Sequence, residues 1–475
     1  MSYQVPQHIS KNKIFIVNRS EIEGRLDPKM ALYNRKVQNW SYPKVRLKDL
    51  LLGKPQYGAA ESGITRTDIK SPRYIRITDI DEYGLISHND LGATANTIED
   101  QYILHKNDLL IARSGATVGK AYIHKDCPYT CFFAGYLIRF VINPQIALPD
   151  YVFAFTQTNT YKEWVSAVQR PSGQPNINSE EYQSLEIPLP PTNIQNEIVS
   201  IIQTAYSKKQ EKESEAKKLL ESIDTFILNE IGVSLPEYNT TLKDRTFIIN
   251  RKSLDSRWDP YYSQQYFRDA FAALESCKYP IVNLKKIAKL ITSGVTPKSG
   301  GDAYTKDKEN GVPFVRSGNI SIEGELDFDD LLYLNPEIHE TLMCSSQLQK
   351  NDILIAIVGA TIGQVGIYPY DGEANINQAI ALVRLKDGYN VQFIKELIKS
   401  SIGQLSLNRL KRPVARANIN LEEISTIKVV LPPLDKQQEI AEHIADIRKK
   451  ARALQEEGKD ILEQAKREVE RMILQ

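Results

Sequence analysis

The chain is written twice, and this restricts its architecture more than any other feature. Phe15-Ile16-Val17-Asn18-Arg19 reappears as Phe247-Ile248-Ile249-Asn250-Arg251, and Arg25-Leu26-Asp27-Pro28 as Arg257-Trp258-Asp259-Pro260, both displaced by 232 residues. Tyr42-Pro43-Lys44-Val45 corresponds to Tyr279-Pro280-Ile281-Val282, displaced by 237. Asn107-Asp108-Leu109-Leu110-Ile111-Ala112 and Gly115-Ala116-Thr117-Val118-Gly119 return 244 residues later, as Asn351-Asp352-Ile353-Leu354-Ile355-Ala356 and Gly359-Ala360-Thr361-Ile362-Gly363. Asn176-Ile177-Asn178 and Leu189-Pro190-Pro191 match Asn418-Ile419-Asn420 and Leu431-Pro432-Pro433, displaced by 242. Such a period is far too long for a solenoid, and the drifting offsets describe two copies of one fold that differ by loop insertions.

Each copy has the same internal order. Short β-type runs come first, such as Tyr136-Leu137-Ile138-Arg139-Phe140-Val141 and Gln378-Ala379-Ile380-Ala381-Leu382-Val383-Arg384, punctuated by Gly, Pro and Asn-Asp. They predict a strand-rich α+β domain. A Leu-Pro-Pro element then stops the pattern, and a Glu/Lys/Gln-rich helical segment follows. In the second copy Ile440, Ile444, Ile447, Ala451, Leu454, Gly458, Ile461 and Ala465 form a heptad seam containing one glycine. The first copy gives Ile198, Ile202, Ala205, Lys209, Lys212, Ala216, Leu219 and Ile223, where two lysines loosen the seam or set its register. The expected organisation is a domain over 1–191, a helix over 192–232, a second domain over 233–433 and a helix over 434–475. The two helices, each helical over about 38 residues and hence roughly 57 Å at 1.5 Å per residue, pair as an antiparallel coiled coil within the chain.

Composition excludes several classes. A hydrophobic share of 41% argues against wholesale disorder. The absence of a long apolar run and of a signal-type opening leads us to expect a cytoplasmic protein. Four cysteines in 475 residues are no disulfide scaffold. A balance of 60 basic to 59 acidic residues argues against a protein that coats nucleic acid by bulk charge.

No catalytic constellation emerges either. Gly115 to Lys120 approximates a phosphate-binding loop but is one residue short, with Ala121 where Ser or Thr should hold Mg²⁺ and Gln364 replacing the lysine in the second copy. Gly-Ala-Thr-x-Gly therefore reads as a tight connection requiring glycine backbone freedom. Asp259-Pro260-Tyr261-Tyr262 resembles the Asp-Pro-Pro-Tyr motif of amino-methyltransferases but lacks the second proline and any companion cofactor loop. Pro149-Asp150 has no following Asp/Glu-x-Lys. His124, Cys127 and Cys131 are three potential zinc ligands with no fourth, and the second copy has no equivalent, so no metal is expected.

Charge is local rather than absent. Residues 302–340 carry ten acids against three bases, while residues 384–416 carry eight bases against two acids. The basic stretch ends in Arg409, Lys411, Arg412 and Arg416, just before Asn418-Ile419-Asn420. Arg170 and Gln174 occupy the equivalent place in the first copy, which has a second basic cluster at Arg66, Arg73 and Arg76. Arginine and lysine in turn-rich segments suit phosphate contacts, and Arg or Gln can reach base edges, so these nine residues are the candidate DNA-binding set.

Ile187-Pro188-Leu189-Pro190-Pro191 followed by Gln195-Asn196-Glu197-Ile198, and Leu431-Pro432-Pro433 followed by Gln437-Gln438-Glu439-Ile440, resemble the conserved regions of the specificity subunit of type I restriction–modification enzymes. The Asn-Asp-Leu/Ile-Leu-Ile-Ala and Gly-Ala-Thr-x-Gly segments are similar to the core of that family's target recognition domains. The resemblance spans essentially the whole chain. It implies two tandem target recognition domains, each reading half of a split double-stranded DNA site, separated by paired helices whose length sets the spacer. It also implies a non-catalytic role and an asymmetric target. Two methylation subunits would use S-adenosylmethionine to methylate adenine N6, and restriction subunits using ATP and Mg²⁺ could join them. Ile198, Ile202, Leu219, Ile223, Ile440, Ile444, Ile447 and Leu454 mark the helices expected to carry the partners. A specificity subunit of a related type II methyltransferase/endonuclease, or a coiled-coil interaction scaffold without DNA specificity, is the alternative reading.

Overall fold

A computed structural model describes residues 28–38, 40–88, 90–169, 175–238, 241, 246–250, 259–298, 301–411 and 417–474. The chain divides into two compact units, residues 1–213 with 455–475, and residues 214–454. These boundaries fall inside the two long helices, Thr192–Ile231 and Leu434–Leu474, so each helix contributes one part to each unit.

The described strands of the first unit are β1 (Lys44–Arg46), β2 (Gln56–Tyr57), β3 (Ile64–Thr65), β4 (Arg73–Ile75), β5 (Ala93–Thr94), β6 (Leu109–Ala112), β7 (Ala121–Ile123), β8 (Cys131–Phe133), β9 (Leu137–Phe140) and β10 (Glu186–Pro188). They form sheets in the orders β2-β9-β6-β7 and β3-β5-β4-β8, plus the pair β1-β10. Only the β4–β8 pairing among them is parallel. The second unit has β11 (Ile281–Asn283), β12 (Ala288–Ser293), β13 (Tyr304–Thr305), β14 (Val312–Val315), β15 (Leu332–Leu334), β16 (Ile353–Ala356), β17 (Val365–Ile367), β18 (Asn375–Ile376), β19 (Ile380–Leu385) and β20 (Lys428–Val430). Its sheets run β12-β19-β16-β17 and β13-β15-β14-β18, plus β11-β20, again with a single parallel pairing, β14 with β18. The repeat seen in sequence is thus a repeat of topology, strand for strand.

The Asn-Asp-Leu/Ile-Leu-Ile-Ala repeat shows how sequence sets this structure. β6 and β16 are buried along their whole length, because alternate side chains serve two cores. Leu109 and Ile111 face the core shared with the helices, whereas Leu110 and Ala112 face the core between the sheets. Ile353 and Ile355 repeat the first role and Leu354 and Ala356 the second. A strand buried on both faces cannot alternate apolar with polar, hence the unbroken apolar run. Asn107 and Asn351 precede these strands with φ of 72° and 73°, a left-handed conformation that asparagine tolerates better than most residues. The next residue is a buried aspartate. Asp108 accepts from Arg139 of β9 at 3.3 Å, and Asp352 accepts from Arg384 of β19 at 2.7 and 2.8 Å.

The N-terminal block of each copy also has a structural role. Helix Pro28–Val37 packs on helix Asn159–Val168, with Lys36 paired to Glu163 at 2.6 Å. Helix Gln265–Glu275 packs on helix Ser401–Leu410 through Phe267, Ala270 and Leu405. Asp259 accepts the Tyr261 N–H at 2.9 Å, so its Asp-Pro-Tyr-Tyr segment is a turn built on the aspartate side chain.

The long helices pair in antiparallel fashion. In the first unit Ile198, Ile202 and Ala205, near the start of one helix, share a core with Leu462, Ala465, Val469 and Ile473, near the end of the other. In the second unit Ile223, Ile227 and Ile231 share one with Ile440, Ile444 and Ile447. The expected seam keeps its register along the first helix, with Lys212 and Leu219 half-buried, but shifts in the second, where Leu462 is fully buried and Ile461 only half-buried. Past Gly458 the buried stripe advances four residues instead of three, nearer the 3.6-residue period of a straight helix than a strict heptad. The two seam lysines are paired rather than repelled. Lys209 bonds Glu213 at 2.5 Å with its ammonium 4.3 Å from the Tyr83 ring centre, and Lys212 pairs with Glu457 at 2.9 Å.

Candidate nucleic-acid interface

In each unit the Gly-Ala-Thr-x-Gly loop is the anchor around which the candidate surface is built. Gly115, Gly119, Gly359 and Gly363 have φ of 84°, 87°, 77° and 96°, so all four occupy the region reserved in practice for glycine. Lys120, the apparent phosphate-loop lysine, donates to the Ile80 carbonyl at 2.7 Å and serves the fold. Gly115 N–H bonds the Pro175 carbonyl at 3.0 Å and Ser114 bridges Asn176. Gly359 N–H bonds the Ala417 carbonyl at 3.1 Å and Val358 bridges Asn418.

These bonds explain the repeated Asn-Ile-Asn. Ile177 and Ile419 are fully buried plugs, while Asn178 and Asn420 cap short helices by accepting from Glu181 N and Glu423 N, each at 2.8 Å. The chain enters each segment from a covering helix, Asn159–Val168 or Ser401–Leu410, and leaves it through the loop anchor. Pro175 and Ala417, the first described residues after the two basic segments, are thus anchored by equivalent backbone bonds. Arg170, Gln174, Arg412 and Arg416 lie outside the described residues.

The remaining candidates divide sharply. Arg66 and Arg73, at 1% and 0% exposure, are turned inward, and the expectation that they meet DNA is corrected. Arg66 donates to the carbonyls of Ile69 and Ser71 and stacks 4.5 Å from the Tyr129 ring centre. Arg73 donates to the Ser87 carbonyl and pairs with Asp90 at 2.8 Å. In both, part of the guanidinium is held by these groups, and burial keeps the whole of it from a phosphate. Arg76 is part-exposed but bidentate to Asp79, at 2.9 and 3.1 Å, closing the turn after β4; Arg316 repeats this place and pairs with Asp330 at 3.1 Å. Arg409 lies between two rings, 4.0 Å from Tyr262 and 4.9 Å from Phe271, and donates to the Tyr262 carbonyl at 3.1 Å. It fastens the N-terminal block to the covering helix, so its charge is spent on packing. Lys411 donates to Asn408 at 2.7 Å, and burial lowers its pKa.

The residues that mark the expected partner-binding helices serve the pairing of the helices within the chain. Ile198, Ile202, Ile223, Ile440, Ile444 and Ile447 are buried in the chain's own cores, and Leu219 and Leu454 are half-buried. A heptad pattern reports which face is apolar, and here the chain covers that face itself.

Structure adds a group that sequence reading missed. Arg113, just before the first anchor loop, stacks 4.8 Å from the Tyr57 ring centre. Its backbone N–H bonds the carbonyl of Tyr136, an aromatic residue 66% exposed. The same backbone bond joins Ile357 to Ala379 in the second unit, so one shared framework carries Arg and Tyr in one copy and Ile and Ala in the other. Tyr57 lies on β2, far from Arg113 in sequence; only sheet order brings them together. In the second unit a cavity of about 430 Å³ is lined by Ile322, Glu323, Glu396, Lys399 and Arg448, among others. Arg448 is bidentate to Glu396 at 2.7 and 3.0 Å. Burial, reinforced by the Arg448 charge, pushes the Lys399 amine down to about 8.

A duplicated reading domain on paired helices, with divergent surfaces on identical frameworks, defines a class of specificity protein. The chain belongs to the family described as type I restriction modification DNA specificity domain, whose model matches residues 74–222 and 278–464. It is 26% identical over 304 residues to the type I restriction enzyme EcoBI specificity subunit of Escherichia coli, covering 63% of this chain and 57% of that one. Against the putative type I restriction enzyme MjaX specificity subunit of Methanocaldococcus jannaschii it is 24% identical, with 86% of each covered. Among solved structures, a chain described under complex assembly and conformational transition of the type I R-M system is similar with a TM-score of 0.49 at 14% identity, over 91% of this chain and 96% of that one. The HsdS subunit from Thermoanaerobacter tengcongensis gives a TM-score of 0.35 at 15% identity, over 92% and 97%. No described helix is long and apolar enough to cross a membrane.

Proposed function

We propose that this chain is the DNA sequence-recognition subunit of a type I restriction–modification complex. Each unit reads one half of a bipartite double-stranded target, and helix length sets the spacing of the halves. Catalysis belongs to partner chains: two methylation subunits carrying S-adenosylmethionine transfer methyl groups to adenine N6, and restriction subunits using ATP and Mg²⁺ act on unmodified DNA. The observation that carries this reading is the pair of frameworks with matched backbone bonds and unmatched side chains, Arg113 and Tyr136 against Ile357 and Ala379. Identical scaffolds presenting different donors and apolar groups suit an asymmetric target, because base edges are told apart by such groups.

The chain co-expressed with its methylation subunit should place N6-methyladenine in one split motif. Exchanging residues 41–191 for the equivalent segment of a relative should change one half of that motif only. Methylation scattered without a motif overturns the reading.

A further inference from the structure

The loop between β7 and β8 brings together three side chains that recognition leaves unused. His124, Cys127 and Cys131 each place one ligand atom within 4.8 Å of the others, and the two sulfurs stand 3.4 Å apart. A disulfide requires about 2.05 Å. Two thiolates on one tetrahedral zinc, each about 2.3 Å from the metal, stand roughly 3.8 Å apart. The observed spacing is therefore close to a shared metal and far from a bond.

The surroundings fit the same ligand. The Tyr122 hydroxyl lies 2.9 Å from His124 Nδ1, so the ring can give Nδ1–H to that oxygen and keep Nε2 as a lone-pair donor. Metal-bound histidines are held in this way. Arg66 Nε and Nη1 and Arg73 Nε are buried without a hydrogen-bond acceptor among the described residues; burial pushes the Cys131 thiol up, and both guanidinium charges oppose it. Thiolates beside them would supply the missing negative charge, which neutral thiols do not. A cavity of about 490 Å³, lined in part by His105, Lys106 and Asp126, reaches all three residues.

The second copy shows what the fold requires here without a ligand. Asn107 N–H bonds the His124 carbonyl and Asn351 N–H the Tyr368 carbonyl; Leu104 N–H bonds the Cys131 carbonyl and Leu348 N–H the Ala374 carbonyl. Tyr368 and Ala374 thus stand where the first copy has His124 and Cys131, and both are buried. A histidine and two cysteines are not needed to build this loop.

We propose that His124, Cys127 and Cys131 bind one Zn²⁺ per chain, with the fourth position open to the cavity. Binding releases the two thiol protons to solvent and leaves two thiolates and a neutral imidazole on the metal. The ion ties the loop carrying Tyr129, which stacks on Arg66, to β7 and β8.

The test titrates the reduced full-length chain with Co²⁺. One equivalent should give tetrahedral d–d absorption and a thiolate-to-metal charge-transfer band, both lost on adding Zn²⁺. Cys127→Ser, at a part-buried sulfur, should abolish the charge-transfer band or leave only one thiolate's share of it. Tyr122→Phe should weaken binding about tenfold, and Cys277→Ser should change nothing. Because a misfolded variant would imitate loss of binding, wild-type chain stripped by chelator is also melted with and without Zn²⁺; reloading should raise Tm by at least about 2 °C. Wild-type chain without a thiolate–cobalt band, full binding by Cys127→Ser, or a Tm indifferent to Zn²⁺ overturns the proposal.

Discussion

Gln195 accepts the backbone N–H of Leu148 on its side-chain oxygen at 2.8 Å and donates its amide to the Pro190 carbonyl at 2.9 Å. Gln437 repeats the arrangement with Asn390 N–H at 3.0 Å and the Pro432 carbonyl at 2.8 Å. Both glutamines are buried, at 2% and 3% exposure. Each ties the strand-ending Pro-Pro, the first turn of a long helix and the N-terminus of a shorter helix, Pro149–Thr156 or Val391–Lys399, into one joint. This is the physical content of the Gln in Gln-x-Glu-Ile: one amide offers a donor and an acceptor at the fixed separation the joint requires.

Replacing that amide should loosen the joint. Gln195→Ala leaves a buried N–H and a buried carbonyl without partners, and we expect a loss of about 1–3 kcal/mol. Urea unfolding measures it, and Gln437→Ala should lose a similar amount from the other unit. An unchanged midpoint for both would show that water replaces the amide.

The buried Asp352–Arg384 pair should be more costly to break. Asp352 is 1% exposed, accepts two bonds from Arg384 and also accepts the Gln349 N–H at 2.7 Å. Asp352→Ala strands the guanidinium against β16, and we expect a loss of about 3 kcal/mol by urea unfolding. A loss below about 1 kcal/mol would mean that Arg384 turns out to solvent.

Two glycines should respond in opposite directions to alanine. Gly458 lies inside a helix, and an added Cβ would meet Lys209 at 3.5 Å, an ordinary contact. Gly458→Ala should stabilise by about 0.5–1 kcal/mol. Gly119 has positive φ, and its Cβ would lie 2.7 Å from Val165, so Gly119→Ala should destabilise by more than that gain. Thermal melts of both variants decide the matter.

Salt dependence should separate the buried arginines from the basic segments. Arg170→Ala and Arg416→Ala should each weaken DNA binding by the assembled complex across sequences and reduce the salt slope by about 1. Arg73→Met should leave that slope unchanged, because Arg73 is occupied by Ser87 and Asp90. A flattened slope for Arg73→Met would return it to the interface.

Lys399 supplies the pH dependence. Its folded pKa of about 8 lies below the ordinary lysine value of 10.5, so the folded state binds this proton less well than the unfolded state. The cost to stability is fully present below pH 8 and is relieved as pH rises towards 10.5. Amine-selective labelling read by mass spectrometry should show Lys399 reacting with a midpoint near pH 8, well before exposed lysines. A midpoint near 10.5 would show a solvated amine.

Much of the architecture was legible because repetition samples one fold twice. Where both copies keep a residue type, as in Asn107/Asn351, Asp108/Asp352 and Gln195/Gln437, a backbone requirement stands behind it. The seam was legible through Ile198 to Ile223 and failed at Ile461, because a strict heptad overstates how far a straight helix departs from 3.6 residues per turn. The DNA-binding set was the least legible. Arg66, Arg73 and Arg409 are charged and look available, yet burial commits the first two and stacking on Tyr262 and Phe271 commits the third. Arg113 gave no comparable signal, since its partner Tyr57 is placed by pairing between β2 and β9.

By itself the sequence determined the duplication, the two helices, the strand-rich domains and the family, since each is a pattern of residue types along the chain. The tertiary structure decided which charges face inward, which seam residues the chain keeps for itself, and which ligands converge at His124, Cys127 and Cys131. The reason is geometric. Periodicity and motif spacing encode the direction of a side chain relative to its own backbone, whereas availability depends on what other segments pack against it.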